Sequence, residues 1–335
     1  MYVLEWGSLG SGDGQFKAAV HVAAPPSGFV YVSDQVLDRV QKFDDEGTYL
    51  AKWGGTGTAE KQFNNAWGLG VDSSGNLYVA DSSNHRIQKF DSAGTFLLTW
   101  GYGVDTGADS FETCTSACQA GIPGPNPGQL SSPLGLAVDS TDKVLVAAYS
   151  SRKVAKYASN GSYLTQWGSP GTAEGQFTGG PHAIAVDSDG FVYTSEAIPG
   201  NARVQMFDKN GNFKRMWGYG VEDGSSEFQV CTSGCQAGLT GSGEWQFDGP
   251  VGMTVDSDNH VYVADSSNNR VYKFDRRGTR LTKWNDGNGV LDGPFGLAID
   301  GPALYLADFR NDRIIKYVGP YFETFVGEPE MERRP

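Results

Sequence analysis

Four histidines and four cysteines hold most of this chain's capacity for metal or nucleophile chemistry. The cysteines form two C-x-x-x-C pairs, Cys114/Cys118 and Cys231/Cys235, in the stretches "YGVDTGADSFETCTSACQAGIPGPNPGQ" and "YGVEDGSSEFQVCTSGCQAGLTGSGEWQ". A local disulfide in each would staple a Gly-rich loop that has no core of its own, and would imply an oxidising compartment. A zinc site shared by all four cysteines is the rival reading. It needs the two loops to meet, and structural zinc cysteines usually stand at C-x-x-C spacing. His21 in "AVHVAA" and His182 in "PHAIAVD" are candidate metal ligands. Catalytic zinc, however, wants three protein ligands around an open position. His85 and His260 fall in a loop and a turn and read as surface residues. No Ser-His-Asp arrangement recurs, and the glycines read as turns rather than as a phosphate cradle between strand and helix.

The elements that position these residues are repeats. Gln15, Gln62, Gln129, Gln176 and Gln246 each precede Phe or Leu, and a further copy starts near Gly293 without the Gln. Each copy contains four short runs rich in Val, Ile, Tyr and Phe, separated by Asp/Ser/Gly turns, and no helical period appears. Four antiparallel strands in about 40–47 residues make a propeller blade. The reading is an all-β, six-bladed β-propeller of four-stranded antiparallel blades, one domain over 1–335. Its blades fall at 15–54, 62–101, 129–168, 176–218, 246–285 and 293–327. The Cys-containing inserts occupy 102–128 and 219–245, and residues 2–7 ("YVLEWG") are a candidate ring-closing strand. The 46 glycines and 12% aromatics suit tight turns and large side chains packed between sheets.

Some residues recur because a blade needs them. An acid closes the second strand and an arginine follows the loop: Asp34/Arg39, Asp81/Arg86, Glu196/Arg203, Asp265/Arg270 and Asp308/Arg313. These are expected to form bidentate pairs that pin the loops. The Asp of "VDSSG" and "VDSDG" could mark calcium, but hairpin turns favour the same residues and the distant Glu of a calcium loop is missing. Trp53, Trp100, Trp167 and Trp217 are expected to pack between blades.

Deviations from the repeat carry the functional signal. His21 and His182 are read at the inner-strand position where Gly68, Gly135, Gly252 and Gly296 stand. That puts them in opposed blades, near the mouth of the central channel. In the third copy Ala148 replaces the acid and Lys153 the arginine, with Tyr149 and Arg152 between them. The loop "SEAIPGNAR" is longer, and Phe309-Arg310 stands where other copies have serine pairs. Connections after second and fourth strands share one face, so these loops and the Cys inserts should rim a cup.

The pattern "VYVAD…NNRVYKFD…G…W" resembles the NHL repeat over almost the whole chain. The resemblance implies a six-bladed β-propeller. It leaves function open, since the family includes sensors, adaptors, RNA binders and a few enzymes. The enzyme case is similar to the family's peptidyl-hydroxyglycine amidating lyase, in which Pro-His motifs hold zinc and loop Tyr and Arg residues act. Here that implies His182, His21, Tyr149 and Arg152. His21 lacks the Pro, and glycines stand where a further His is needed. The favoured reading is an extracytoplasmic binding or sensor propeller of bacterial type. Its cup, carrying His21, Tyr149, Arg152, His182, Phe309 and Arg310, would take a protein, peptide or glycan. A metal-dependent lyase or hydrolase is the alternative.

A net charge of −13 and a pI near 4.7 argue against nucleic acid and anionic membranes. No apolar run reaches the roughly 18 residues of a membrane span, and "MYVLEWGSLG" has no signal-peptide pattern. No cofactor is expected beyond zinc or calcium in the channel. The chain is read as a monomer or as a domain of a longer one.

Overall fold

The computed structural model describes residues 2–284 and 291–319. The run "YFETFVG" at 321–327 and residue Asn285 lie outside the described residues. Six antiparallel sheets are present. Blade 1 comprises Ala19–Ala23, Phe29–Asp34, Arg39–Asp44 and Tyr49–Gly54; blade 2 comprises Ala66–Val71, Leu77–Asp81, Arg86–Phe90 and Phe96–Tyr102. Blade 3 comprises Pro133–Val138, Val144–Ala148, Lys153–Tyr157 and Tyr163–Trp167; blade 4 comprises Ile184–Val186, Val192–Ile198, Asn201–Phe207 and Phe213–Tyr219. Blade 5 comprises Pro250–Val255, Val261–Asp265, Arg270–Phe274 and Arg280–Trp284. Blade 6 takes Pro294–Asp300, Ala303–Asp308 and Arg313–Val318, and its outer strand is Tyr2–Trp6. The register of that outer pair runs from Tyr2 opposite Val318 to Trp6 opposite Ile314. Both ends of the described chain thus share one sheet, and the ring is closed.

Four strands per blade is not the whole account. Each Cys insert adds a fifth, outermost strand: Phe111–Cys114 on Phe96–Tyr102, and Phe228–Cys231 on Phe213–Tyr219. The outer strand of a blade is an edge with unpaired N–H and C=O groups, and an adjacent extended segment satisfies them.

Blades cover one another's faces, so second strands such as Leu77–Asp81 are buried throughout. The recurring Trp is the joint. Trp100 meets Tyr78 of its own blade at 5.8 Å and Tyr157 of the next at 5.7 Å, and Trp217 meets Tyr193 at 6.1 Å and Phe274 at 5.8 Å. Trp6 does the same across the closure, 5.9 Å from Phe43 and 6.3 Å from Tyr305. In blades 1 to 5 a turn glycine lies against the ring of the preceding blade: a Cβ on Gly94 would stand 2.9 Å from Trp53, and one on Gly211 2.5 Å from Trp167. Truncating a fully buried joint such as Trp100 should cost about 3–5 kcal/mol.

The acid–arginine pairs are single, not bidentate. Arg86 Nε donates to Asp81 at 2.8 Å, Arg203 Nε to Glu196 at 2.7 Å and Arg313 Nε to Asp308 at 2.9 Å; Arg270 Nε lies 3.5 Å from Asp265. In blades 2, 4 and 5 other guanidinium nitrogens reach main-chain carbonyls, as Arg86 Nη2 does to Ala59 and Gln62, whereas Arg313 Nη1 donates to Glu5 at 2.7 Å. The landmark glutamine closes the same loop: Gln62 Oε1 accepts from Ala59 N–H at 3.2 Å. Blade 1 departs further. Asp34 accepts from the N–H groups of Lys17 and Leu37, Arg39 donates to Ser11, Gly12 and Gln15 carbonyls, and no ion pair joins the two. The hairpin aspartate of blade 2 is bonded locally. Asp72 Oδ1 accepts from Ser74 and Asn76 N–H, and Oδ2 from Tyr78 Oη at 2.8 Å.

Candidate functional site

Inner strands open with a bulge that offsets their pairing, as between Pro250 and Gly252. This bulge decides where each side chain points. Ala19, Pro250 and Pro294 all pair with the acid closing the second strand, so His21 is equivalent to Gly252 and Gly296. His182 is not at that position. Its N–H bonds to the Ser195 carbonyl, and Ala183 is the glycine equivalent. His182 therefore shares its level with Trp67, Leu134, Val251 and Phe295, one residue earlier. Blade 1 has Ala19 where blades 3 to 6 have the proline that marks the register, which is why the two histidines looked equivalent.

Trp67, His182 and Phe295 come from blades 2, 4 and 6. Their ring centroids form a triangle of 5.7, 6.1 and 6.2 Å, with interplanar angles of 71°, 64° and 62°. Edge-to-face packing of this kind is the preferred aromatic geometry. Two loops extend the cluster: Tyr149 of blade 3 lies 6.2 Å from His182, and Phe309 of blade 6 lies 4.9 Å from Phe295. All of these rings are half-buried. Of the residues expected in the cup, the structure brings Tyr149, His182 and Phe309 together. Arg152 is exposed at a left-handed position, φ 55°, and its side chain makes no hydrogen bond or ion pair among the described residues. Arg310 is exposed and pairs with Asp292 at 3.1 Å.

His21 lies in the lining of the central channel, a cavity of about 220 Å³ bounded by the inner strands, including Leu69, Leu136, Ile184, Met253 and Leu297. Its Nδ1 accepts from Leu69 N–H at 3.4 Å, and His182 Nδ1 faces the Val251 carbonyl at 3.1 Å. Burial pushes both imidazoles down to about 4, with His182 a lesser contributor at His21. Both are neutral at physiological pH. A neutral imidazole suits a metal, but the donor set does not. The three-fold partners of His182 are Trp67 and Phe295, and no three His, Cys, Asp or Glu side chains converge among the described residues. His85 and His260 are half-buried rather than surface groups: His85 Nδ1 accepts from Ser132 N–H at 3.2 Å, and His260 contacts Asp256 at 2.9 Å.

Each C-x-x-x-C pair is a disulfide, with Cα atoms 5.7 Å apart, and no free cysteine remains for a shared zinc site. The disulfides sit with the fifth strands on the circumference. The return limb of each insert runs inboard, where Gly121 N–H donates to the Asn84 carbonyl and Ala202 N–H to the Gly238 carbonyl.

Sequence reasoning missed Trp67 and Phe295. Each sits inside an apolar inner-strand run, where a ring reads as core. The signal available was their alternation by blade, at the level of His182.

Fold and site together define a closed β-propeller with an aromatic centre on one face. The NHL-repeat profile matches residues 63–90 and 247–274, within blades 2 and 5 of this six-bladed β-propeller. Protein brain tumor of Drosophila melanogaster is 24% identical over 167 residues, a match covering 50% of this chain and 14% of that protein. Among solved structures, virginiamycin B lyase from Staphylococcus aureus superposes with a TM-score of 0.56 at 12% identity, covering 95% of this chain and 99% of that one. A gluconolactonase from Xanthomonas campestris gives 0.59 at 13% identity, with 92% and 88% covered. A chain of a nidogen/laminin complex gives 0.57 at 14% identity, with 87% and 88% covered. At these identities the likeness is one of fold.

Proposed function

We propose that this propeller is a binding module acting outside the reducing cytosol, and that its ligand is a protein or peptide segment seated on the aromatic cup. The observation that carries the reading is the convergence of Trp67, Tyr149, His182, Phe295 and Phe309 from separate blades onto one half-buried patch. Rigid amphipathic rings of this kind anchor protein interfaces, and the loops around them supply polar contacts. Arg152 and Arg310 stand at the rim for that purpose. Two disulfides support an oxidising compartment. A metal-dependent lyase or hydrolase built on His21, His182, Tyr149 and Arg152 finds no supporting donor set among the described residues.

Selection of a phage-displayed peptide library on the folded protein tests the reading. Enriched peptides should carry an apolar or aromatic anchor. They should bind Trp67→Ala and Phe309→Ala about tenfold more weakly or worse. Binding unchanged in both variants would sink it. Elemental analysis decides the alternative: a stoichiometric metal lost in His21→Ala and His182→Ala would replace binding with catalysis.

A further inference from the structure

A second cavity, of about 350 Å³, opens on the flank where the second Cys insert meets blade 5, lined by Tyr219, Glu244, Trp245 and Arg280. Trp245 has a left-handed backbone, φ 59°. At the equivalent place blades 1 to 4 have Gly14, Lys61, Gly128 and Gly175, with φ of 75°, 60°, 77° and 69°. A bulky residue there is strained, and such strain persists where the surroundings hold it.

The strain comes with an exchange. Outer strands open with a ring set against the third strand: Tyr49 opposite Phe43, Phe96 opposite Phe90, Tyr163 opposite Tyr157 and Phe213 opposite Phe207. Blade 5 has Arg280 opposite Phe274 instead. The missing ring is supplied by Trp245, 5.3 Å from Tyr272 and 5.7 Å from Phe274. Packing alone does not require this. In blade 3 a glycine, Gly128, sits beside Tyr163, whose ring lies 3.2 Å from where a Cβ on that glycine would stand.

What the exchange achieves is a guanidinium at the surface, held against two rings. Arg280 lies 5.3 Å from the Phe228 centroid and 5.6 Å from that of Trp245, is exposed, and makes no ion pair among the described residues. Facing it, Glu244 pairs with Lys283 at 2.8 Å, and its carbonyl accepts from Tyr219 Oη at 2.6 Å.

We propose that this cavity binds a glycosyl residue, at a site separate from the cup. A compact anion placed on Arg280 would face the Glu244 carboxylate, and a cation on Glu244 would face Arg280 and Lys283. A hydroxylated ring satisfies both, accepting from Arg280 and donating to Glu244, while its apolar C–H face lies against the Tyr219 ring; the Trp245 ring carries the Arg280 and Lys283 cations and so holds the donors in place.

Titration calorimetry with maltotetraose, chitotetraose, cellotetraose and tetragalacturonate tests this, with inorganic phosphate as the anion control. At least one saccharide should bind the wild type. That binding should fall about tenfold or more in Arg280→Ala and in the double variant Trp245→Gly/Arg280→Tyr. The double variant reproduces the Gly128/Tyr163 arrangement, so its Tm should stay within about 2 °C of wild type. Preference for tetragalacturonate or for a neutral sugar names the sugar's charge, and either supports the site. No binding by any of the four, binding that survives the double variant, or Arg280-dependent phosphate binding as tight as any sugar would each overturn it.

Discussion

The insert after blade 2 and the insert after blade 4 share one frame and end differently. In both, a fifth strand pairs on the outer edge, a disulfide closes the tip, and a carboxylate from the preceding interblade loop caps it. Glu60 accepts from Cys118 N–H at 3.1 Å, and Glu174 from Cys235 N–H at 3.2 Å. In both, the blade's arginine reaches the insert, Arg86 Nη1 to the Gln119 carbonyl at 2.8 Å and Arg203 Nη1 to that of Gln236 at 3.0 Å. The first insert then runs into Gly128 beside Tyr163. The second runs into Trp245 beside Arg280 and leaves a cavity. What the two inserts share is scaffold, and what sets them apart is where a ligand would be recognised.

The shared frame breaks hardest at the arginines. Burial pushes the Asp81 and Glu196 carboxyls up, and Arg86 and Arg203 oppose that shift. Removing either guanidinium leaves a buried charge unpaired, so Arg86→Ala and Arg203→Ala should each lose about 3–5 kcal/mol in urea unfolding. Arg39→Ala removes only bonds to carbonyls and should lose about 1–3 kcal/mol. Equal losses at all three would mean that the ion pair adds nothing to the frame.

Blade 3, between the inserts, offers the next test. Lys153 reaches the Pro125 and Asn126 carbonyls and Gln166 Oε1, with no acid at Ala148. Burial pushes its ammonium down to about 8 from 10.5. Between those values the unfolded chain holds the proton and the folded chain does not. Stability should therefore rise with pH from about 8 to 10.5, by up to about 3 kcal/mol. Lys153→Met should flatten that rise, and Ala148→Asp should move it to higher pH. Urea midpoints at pH 7.5 and 10 measure both.

The period of turns and apolar runs made the blades legible, and the C-x-x-x-C spacing made the disulfides legible, because both are local signals. Contacts set by register were not. Phe111–Cys114 and Phe228–Cys231 are four residues each among Gly and Ser, and they become strands only because a neighbouring edge is free. Trp67 and Phe295 look like core until the bulge places them at one level with His182. The mismatch of Asp34 and Arg39 is invisible in a sequence where both residues are present. In the candidate site, Tyr149, His182 and Phe309 stood out as deviations; the residues joining them did not.

The disulfides should act alike in the two inserts. Each closes a loop of a few residues, for which chain entropy gives about 2 kcal/mol. Cys114→Ser/Cys118→Ser and Cys231→Ser/Cys235→Ser should each lower stability by about that amount. Loss of peptide binding at the cup is not expected, since the bridges lie on the circumference. A double variant that abolishes cup binding would show that the tips themselves are contacts.

The smallest effect separates the two inserts most sharply. Trp245 is half-buried, unlike the fully buried joint Trp217, so truncating it loses only part of the 3–5 kcal/mol of a buried ring. Replacement by glycine also releases a left-handed strain of about 1–2 kcal/mol. Trp245→Gly should therefore cost only about 1 kcal/mol net, against several for Trp217→Ala. Adding Arg280→Tyr should bring the cost close to zero by restoring the ring where blade 3 has it. A loss above about 3 kcal/mol in Trp245→Gly would mean that the tryptophan is held for packing. A small loss leaves packing unable to explain why the chain keeps a strained ring and an arginine without an ion pair together at one place on its flank.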